Sequence, residues 1–247
     1  MILKNKNAVV TGANRGIGKS ILKVFAQNGA NIWACQRNPS KKFDKYKNQL
    51  EEEFLIKIVP IYFDLADSKQ MKRGVEEIKK SKRNVDILVN NAGEIFTALF
   101  QMTSVEKIEH MLKINYVSQM LFTQYISRQM MKQRFGNIIN VSSSAALNAN
   151  RGRVAYASSK AALITATRVL AKELGPYNIR ANVIAPGLTD TGMMKNSTSE
   201  EALNETIDRL CLKRVADPDE IAKSILFLSS DLSSYVTGHV LRVDGGM

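Results

Sequence analysis

The chain has 247 residues, 45% hydrophobic and 23% charged, a globular balance that excludes disordered, collagen-like and fibrous classes. A chain this long buries roughly 70–75% of its unfolded surface, so Cys35, Cys211, His110 and His239 are not needed as staples, and with no CxxC pair a metal site is not expected. The net charge of +12 would suit a polyanion, but neither Lys41–Lys47 nor Lys72–Arg83 interleaves aromatics with its basic residues in an RNA-binding pattern, so a solvated basic surface and no nucleic-acid partner are expected.

Ala8–Thr11 reads as a buried strand, followed by a glycine-rich turn and a helix to about Asn28. Asn31–Cys35 is a second strand, with Cys35 as a core residue and Trp33 as a core or interface aromatic, and Phe43–Phe54 a helix. Ile56–Phe63 is the third strand, Ser68–Ser81 a helix and Val85–Asn90 the fourth strand. One long helical stretch covers about Ser104–Gln133, with His110 packing or facing water. Asn137–Val141 is a fifth strand, Tyr156–Leu174 a helix and Ile179–Ala185 a sixth strand. Pro218–Leu228 is a further helix and Val240–Val243 a last strand. Strands alternating with helices predict βαβ units and a parallel sheet. Their continuous apolar runs predict helices on both faces. No linker divides 1–247, so one α/β domain is expected. The polar stretch Leu188–Asn204, with Thr189, Thr191, Gly192, Ser197, Thr198 and Ser199, reads as a long loop, a candidate substrate lid. Met193 and Met194 in it either line an apolar pocket or anchor the lid, and Cys211 is expected to pack nearby. No apolar run reaches the ~18 residues of a membrane span, and the first residues lack the apolar core of a signal peptide. A cytoplasmic chain without a membrane partner is expected.

Thr11-Gly12-Ala13-Asn14-Arg15-Gly16-Ile17-Gly18 falls at the first strand-to-helix junction. Gly12 permits a tight turn, and Gly16 and Gly18 let backbone approach a pyrophosphate that the helix N-terminus attracts. A dinucleotide site follows from that context. The second strand ends Ala34-Cys35-Gln36-Arg37-Asn38, with no carboxylate for a ribose 2′-OH. Arg37, helped by Arg15, can clamp a 2′-phosphate, which favours NADP(H). Asp64 is placed to accept from an adenine amino group, or to cap a turn. Asn90-Asn91-Ala92-Gly93 offers small residues where backbone passes close to a cofactor.

Tyr156 and Lys160, four apart on a helix, share one face. A lysine ammonium beside a phenol lowers the phenol's pKa, which makes an acid–base pair for carbonyl/alcohol interconversion. Ser142-Ser143-Ser144 closes the fifth strand, and Ser143 lies thirteen residues before Tyr156. These motifs, in order with Asn115 and Pro186-Gly187, resemble the short-chain dehydrogenase/reductase family. The closing Tyr235–Met247 stretch is similar to that family's C-terminal strand. The resemblance implies a Rossmann-like doubly wound sheet, with Tyr156 exchanging the proton and Ser143 holding the carbonyl oxygen. It implies that Lys160 binds the nicotinamide ribose and tunes Tyr156, while Asn115 supports a water-linked relay. Cofactor contacts are implied at Gly12, Asn14, Arg15, Gly16, Ile17, Gly18, Arg37, Asp64, Leu65, Asn91, Ala92, Gly93, Tyr156, Lys160, Pro186, Gly187, Thr189 and Thr191. Length, Arg37 and tail are similar to the tetrameric subgroup that reduces 3-oxoacyl thioesters on acyl carrier protein. Arg134 matches a carrier-docking residue there, whereas Tyr177, Glu94–Ala98 and Cys211–Arg214 depart from that subgroup. Other ketones (sugar, steroid-like or secondary-metabolite) form the alternative substrate class, and a cofactor-binding scaffold without catalysis is a third reading.

Overall fold

The structure, a computed structural model, describes residues 1–197 and 199–247. Seven strands form one sheet in the order β3-β2-β1-β4-β5-β6-β7, with every neighbouring pair parallel. They are β1 (Asn7–Thr11), β2 (Asn31–Gln36), β3 (Ile58–Tyr62), β4 (Ile87–Asn90), β5 (Gly136–Val141), β6 (Ile179–Pro186) and β7 (Val240–Val243). The order reverses between β1 and β4, and at such a switch point the carboxyl ends of the strands open a crevice. Pro60 sits in β3, at a sheet edge, where a missing N–H costs little.

Alternate residues of each strand feed two separate cores. Ala8 and Val10, Ile32 and Ala34, Ile87 and Val89, Ile139 and Val141 face one layer with α1 (Gly16–Gln27), α2 (Lys41–Phe54) and a C-terminal helix over Pro218–Ser229. Val9, Trp33, Cys35, Leu88 and Ile138 face the other, with α3 (Ser68–Lys80) and two long helices over Ser118–Gln133 and Val154–Leu174. The expected doubly wound sheet is thus present, and Trp33 and Cys35 are buried as read.

Two stretches differ from the sequence reading. The long helical stretch is split into α4 (Val105–Leu112), one turn of wider π-helix at Lys113–Val117, and α5 (Ser118–Gln133). Such a bulge inserts without disturbing apolar periodicity much, so periodicity does not reveal it. After α6 (Ala145–Asn148) and α7 (Val154–Leu174), the stretch read as a loop is instead largely helical: α8 (Gly192–Ser197) and α9 (Glu200–Arg209). Ser199 caps α9 by accepting from Ala202 N, and Glu200 and Glu201 stand in its first turn, where the helix dipole favours anions. Thr198 lies outside the described residues. α10 (Pro218–Ser229) begins with a capping box of Asp217 and Glu220. Among the described residues no helix is long and apolar enough to cross a membrane, and no cluster of three or more His, Cys, Asp or Glu could hold a metal.

Candidate active site

The loops at the carboxyl ends of β1, β2, β4, β5 and β6 enclose a cleft of about 730 Å³. Its floor is the turn between β1 and α1. Gly12 adopts a left-handed φ of +66°, and a Cβ there would lie 2.9 Å from Ala92 Cα. A Cβ on Gly18 would lie 2.0 Å from Gly12 O, so no side chain fits there. Thr11 Oγ1 accepts from both Asn91 N and Ala92 N at 3.0 Å, and Asn91 Nδ2 donates to Thr11 O. The β1 and β4 loops are thereby locked as one cradle. α1 starts at Arg15 with no side-chain cap, which leaves its first N–H groups to an anionic ligand. Gln36 lines the cleft with both amide atoms buried and, among the described residues, without a hydrogen-bond partner. This is a polar wall that a dinucleotide's ribose or base would satisfy, so the residues present fit such a group.

The chain brings together on this cleft Gly12, Asn14, Arg15, Gly16, Ile17, Gly18, Arg37, Leu65, Asn91, Ala92, Gly93, Ser143, Tyr156, Lys160, Pro186, Gly187, Thr189 and Thr191. Asp64, expected to contact the cofactor, and Asn115, expected to support a water-linked relay, are not on its wall. The Asp64 carboxylate accepts from Ala66 N at 2.8 Å and pairs with Arg37 Nε at 3.3 Å, so it serves a turn and orients Arg37. Asn115 is fully buried behind the wall in the π turn. Its Oδ1 accepts from Glu94 N, and its Nδ2 donates to Glu94 O and Ser159 Oγ, each at 2.9–3.0 Å. The side chain is spent on shaping the loop after β4. A Cβ on Gly93 would lie 2.9 Å from Asn115 Oδ1 and 3.2 Å from Lys160 Nζ, so glycine is required where these two groups approach.

Tyr156 and Lys160 are buried on α7. Lys160 Nζ donates to Val141 O at 2.9 Å, and Ser142 Oγ donates to Lys160 O at 2.8 Å. These bonds tie α7 to the end of β5. Burial brings the Lys160 ammonium down to about 8. Burial also raises the Tyr156 phenol above its ordinary value, while the neighbouring Ser143 hydroxyl and the Arg153 guanidinium pull it back. Burial is the largest of these effects, so the phenol stands above its ordinary value and not below it as expected, and the groups that lower it are Ser143 and Arg153 and not Lys160.

Sequence reasoning missed Gln36, Arg153 and the role of Glu94. The Glu94 carboxylate meets His110 Nε2 at 2.8 Å and Arg37 Nη2 at 3.5 Å, so His110 is a partner of the loop. Cys211, expected to pack, is exposed, with Sγ donating to Gly246 O at 3.2 Å. Arg134 leans over the Tyr177 ring, 5.8 Å from its centroid, and donates to Pro176 O at 3.1 Å.

Residues 12–247 match a family model described as enoyl-(acyl carrier protein) reductase. The chain is 40% identical to the 3-oxoacyl-[acyl-carrier-protein] reductase FabG of Chlamydia trachomatis, covering 100% of this chain and 98% of the relative. It is 37% identical to a 3alpha-hydroxysteroid dehydrogenase of Mediterraneibacter gnavus, covering 99% and 98%. A solved 3-oxoacyl-[acyl-carrier protein] reductase from Brucella melitensis superposes with a TM-score of 0.91 at 30% identity, covering 100% of this chain and 92% of that one.

Proposed function

We propose, from the premise that this chain belongs to the short-chain dehydrogenase/reductase family, that it is an NADPH-dependent reductase of 3-oxoacyl thioesters carried on acyl carrier protein. The observation that carries this reading is the convergence of Tyr156, Ser143 and Lys160 on the cleft whose floor is the glycine cradle. The nicotinamide, when bound, supplies a hydride to the carbonyl carbon. Ser143 holds the carbonyl oxygen, and the Tyr156 phenol, kept protonated by burial, gives that oxygen its proton. Lys160, anchored on Val141 O, presents its remaining N–H groups to the ribose and to the phenolate left after proton transfer. Asn115 acts as a positioning residue for the Glu94 loop.

NADPH rather than NADH is favoured by what ends β2. Arg37 is 59% exposed in its side chain, is paired with Asp64 and Glu94 and not with a carboxylate at the end of β2, and lines the cleft with Arg15. A 2′-phosphate would accept bidentate bonds from it. The likeness to two 3-oxoacyl-[acyl-carrier-protein] reductases supports the acyl substrate, and Arg134 offers a cation for an acidic carrier. The steroid dehydrogenase relative supports a second reading, a steroid ketone or alcohol, with Met193, Met194 and Met247 as an adaptable apolar wall. NADPH oxidation measured with acetoacetyl thioesters and with 3-oxosteroids separates them. Turnover of the thioester at least tenfold above every steroid is the expected result, and the reverse ranking would replace the first reading with the second.

A further inference from the structure

Besides the glycine turn, the cleft is lined by Ile95, Thr97, Arg151, Arg153, Met193 and Met194. Among the described residues lining the cleft Glu94 is the one carboxylate, and it is engaged by His110 and Arg37. Arg153 is half-buried, and its Nη1 is buried with no hydrogen-bond partner among the described residues. A buried guanidinium nitrogen without an acceptor is costly, and a residue on a ligand cleft with such a donor has a ligand atom to meet.

The backbone around Arg153 is held on three sides. Arg153 N donates to Asn150 O at 3.2 Å, Ala157 N donates to Arg153 O at 2.6 Å, and Ala98 N donates to Gly152 O at 3.0 Å. Arg153 stands at the N-terminal cap of α7, three residues before Tyr156, a spacing that puts both on one helix face. The guanidinium's influence on the Tyr156 phenol agrees with that proximity.

We propose that Arg153 is a specificity-determining residue that donates from Nη1 to a second oxygen of the substrate, borne close to the reacting carbonyl. The cleft then selects substrates with a carbonyl and a neighbouring acceptor oxygen, as a 3-oxoacyl group has, over plain ketones. This rests on the reductase reading above. The acceptor is either a thioester carbonyl or a free carboxylate, and the two differ in charge and not in the bond they offer.

The test is steady-state kinetics of the cofactor-loaded enzyme on three substrates of matched carbon length: a 3-oxoacyl thioester, the free 3-oxo acid and the plain ketone. Wild type is expected to favour one of the two oxygen-bearing substrates over the ketone. The favoured one, thioester or acid, identifies the oxygen as carbonyl or carboxylate. Arg153→Ala should raise KM for that substrate roughly ten- to a hundredfold relative to KM for the ketone, the loss of one charge-assisted hydrogen bond, while any change in kcat common to all three substrates reads its separate pull on the Tyr156 phenol. Arg153→Lys should restore part of the KM difference, and Arg153→Gln, which keeps a neutral donor, should fall between. Unaltered NADPH affinity in each variant verifies the fold. A wild type that reduces no 3-oxoacyl compound removes the reductase reading and this inference with it. A wild type that reduces the ketone as well as the oxygen-bearing substrates, or an Arg153→Ala enzyme with unchanged KM for the favoured one, overturns the inference alone.

Discussion

Tyr156 and Lys160 share one helix face, yet burial acts on them in opposite senses, and each gives its own test. Tyr156→Phe removes one hydroxyl and keeps the ring, so the fold survives while the substrate oxygen loses its proton donor. Turnover should fall roughly 10²- to 10⁴-fold, the usual worth of a general acid, with NADPH affinity by fluorescence titration little changed. Near-normal turnover would remove Tyr156 from the chemistry. Lys160 is about 8 in the folded chain against 10.5 in an unfolded one. Between those pH values the unfolded state binds more protons, so stability must rise with pH across that window. The rise is about 3 kcal/mol at most. Denaturant midpoints of wild type and Lys160→Met in the absence of cofactor should therefore diverge from pH 8 to 10.5, with only wild type carrying this gain. Parallel curves would mean that Lys160 is solvated. A third residue, Arg37, sits between Asp64 and Glu94. Arg37→Asp would put three carboxylates where a 2′-phosphate must lie, so the measured NADPH-over-NADH preference should invert through repulsion as well as lost attraction. An unchanged preference would move the 2′-phosphate elsewhere.

At the scale of elements, α8 and α9 carry the clearest expectation. Their base is fixed: Ala216 N donates to Leu188 O and Asp190 N to Ala216 O, both at 2.9 Å. Beyond that base, α8 and α9 bury no residue completely, and few buried contacts mean a low cost of local opening. Thr191 nevertheless rests on the glycine turn, its Cγ2 only 3.2 Å from where a Cβ on Gly16 would be. Amide exchange across 191–209 should slow when cofactor and substrate bind together, as for a closing lid; exchange that stays fast would make the pair a static wall. The strands, the glycine turn and the Ser143–Tyr156–Lys160 set were legible because period-two burial and short fixed spacings are local signals. What was not legible depends on distant partners. Asn115 gives no sign in sequence that it will pair with Glu94, and nothing near Arg153 shows that its Nη1 will be buried without an acceptor. The helices after Pro186 escaped notice because they are short and polar, although Ser199-Glu200-Glu201 is a readable cap.

Across the whole molecule, exposed apolar side chains occur at several places among the described residues, and two of these groups suit self-association. One lies beside β7, the last strand of the sheet, whose outer edge has no strand neighbour among the described residues; Phe227, Leu232 and Tyr235 are exposed around it, Tyr235 completely. The other comprises Phe100 and Met102 just before α4, Val105 in α4, Val117 in the π turn and Val169 in α7, all exposed. An unpaired strand edge flanked by apolar side chains invites a second strand, and large uncovered apolar patches mark contact surfaces. Two separate self-complementary patches, each meeting its own copy across a two-fold axis, generate a closed tetramer with three perpendicular axes, whereas one patch alone stops at a dimer. We therefore expect a homotetramer in solution. Light scattering at micromolar concentration should give four times the 27.5 kDa chain mass. Charged substitutions separate the two contacts. Tyr235→Glu with Leu232→Glu should leave dimers held by the helical face, and Val117→Glu with Val169→Glu should leave dimers held by the β7 edge. A wild-type monomer would contradict both contacts, and a tetramer untouched by either pair of substitutions would show that the association uses other surfaces.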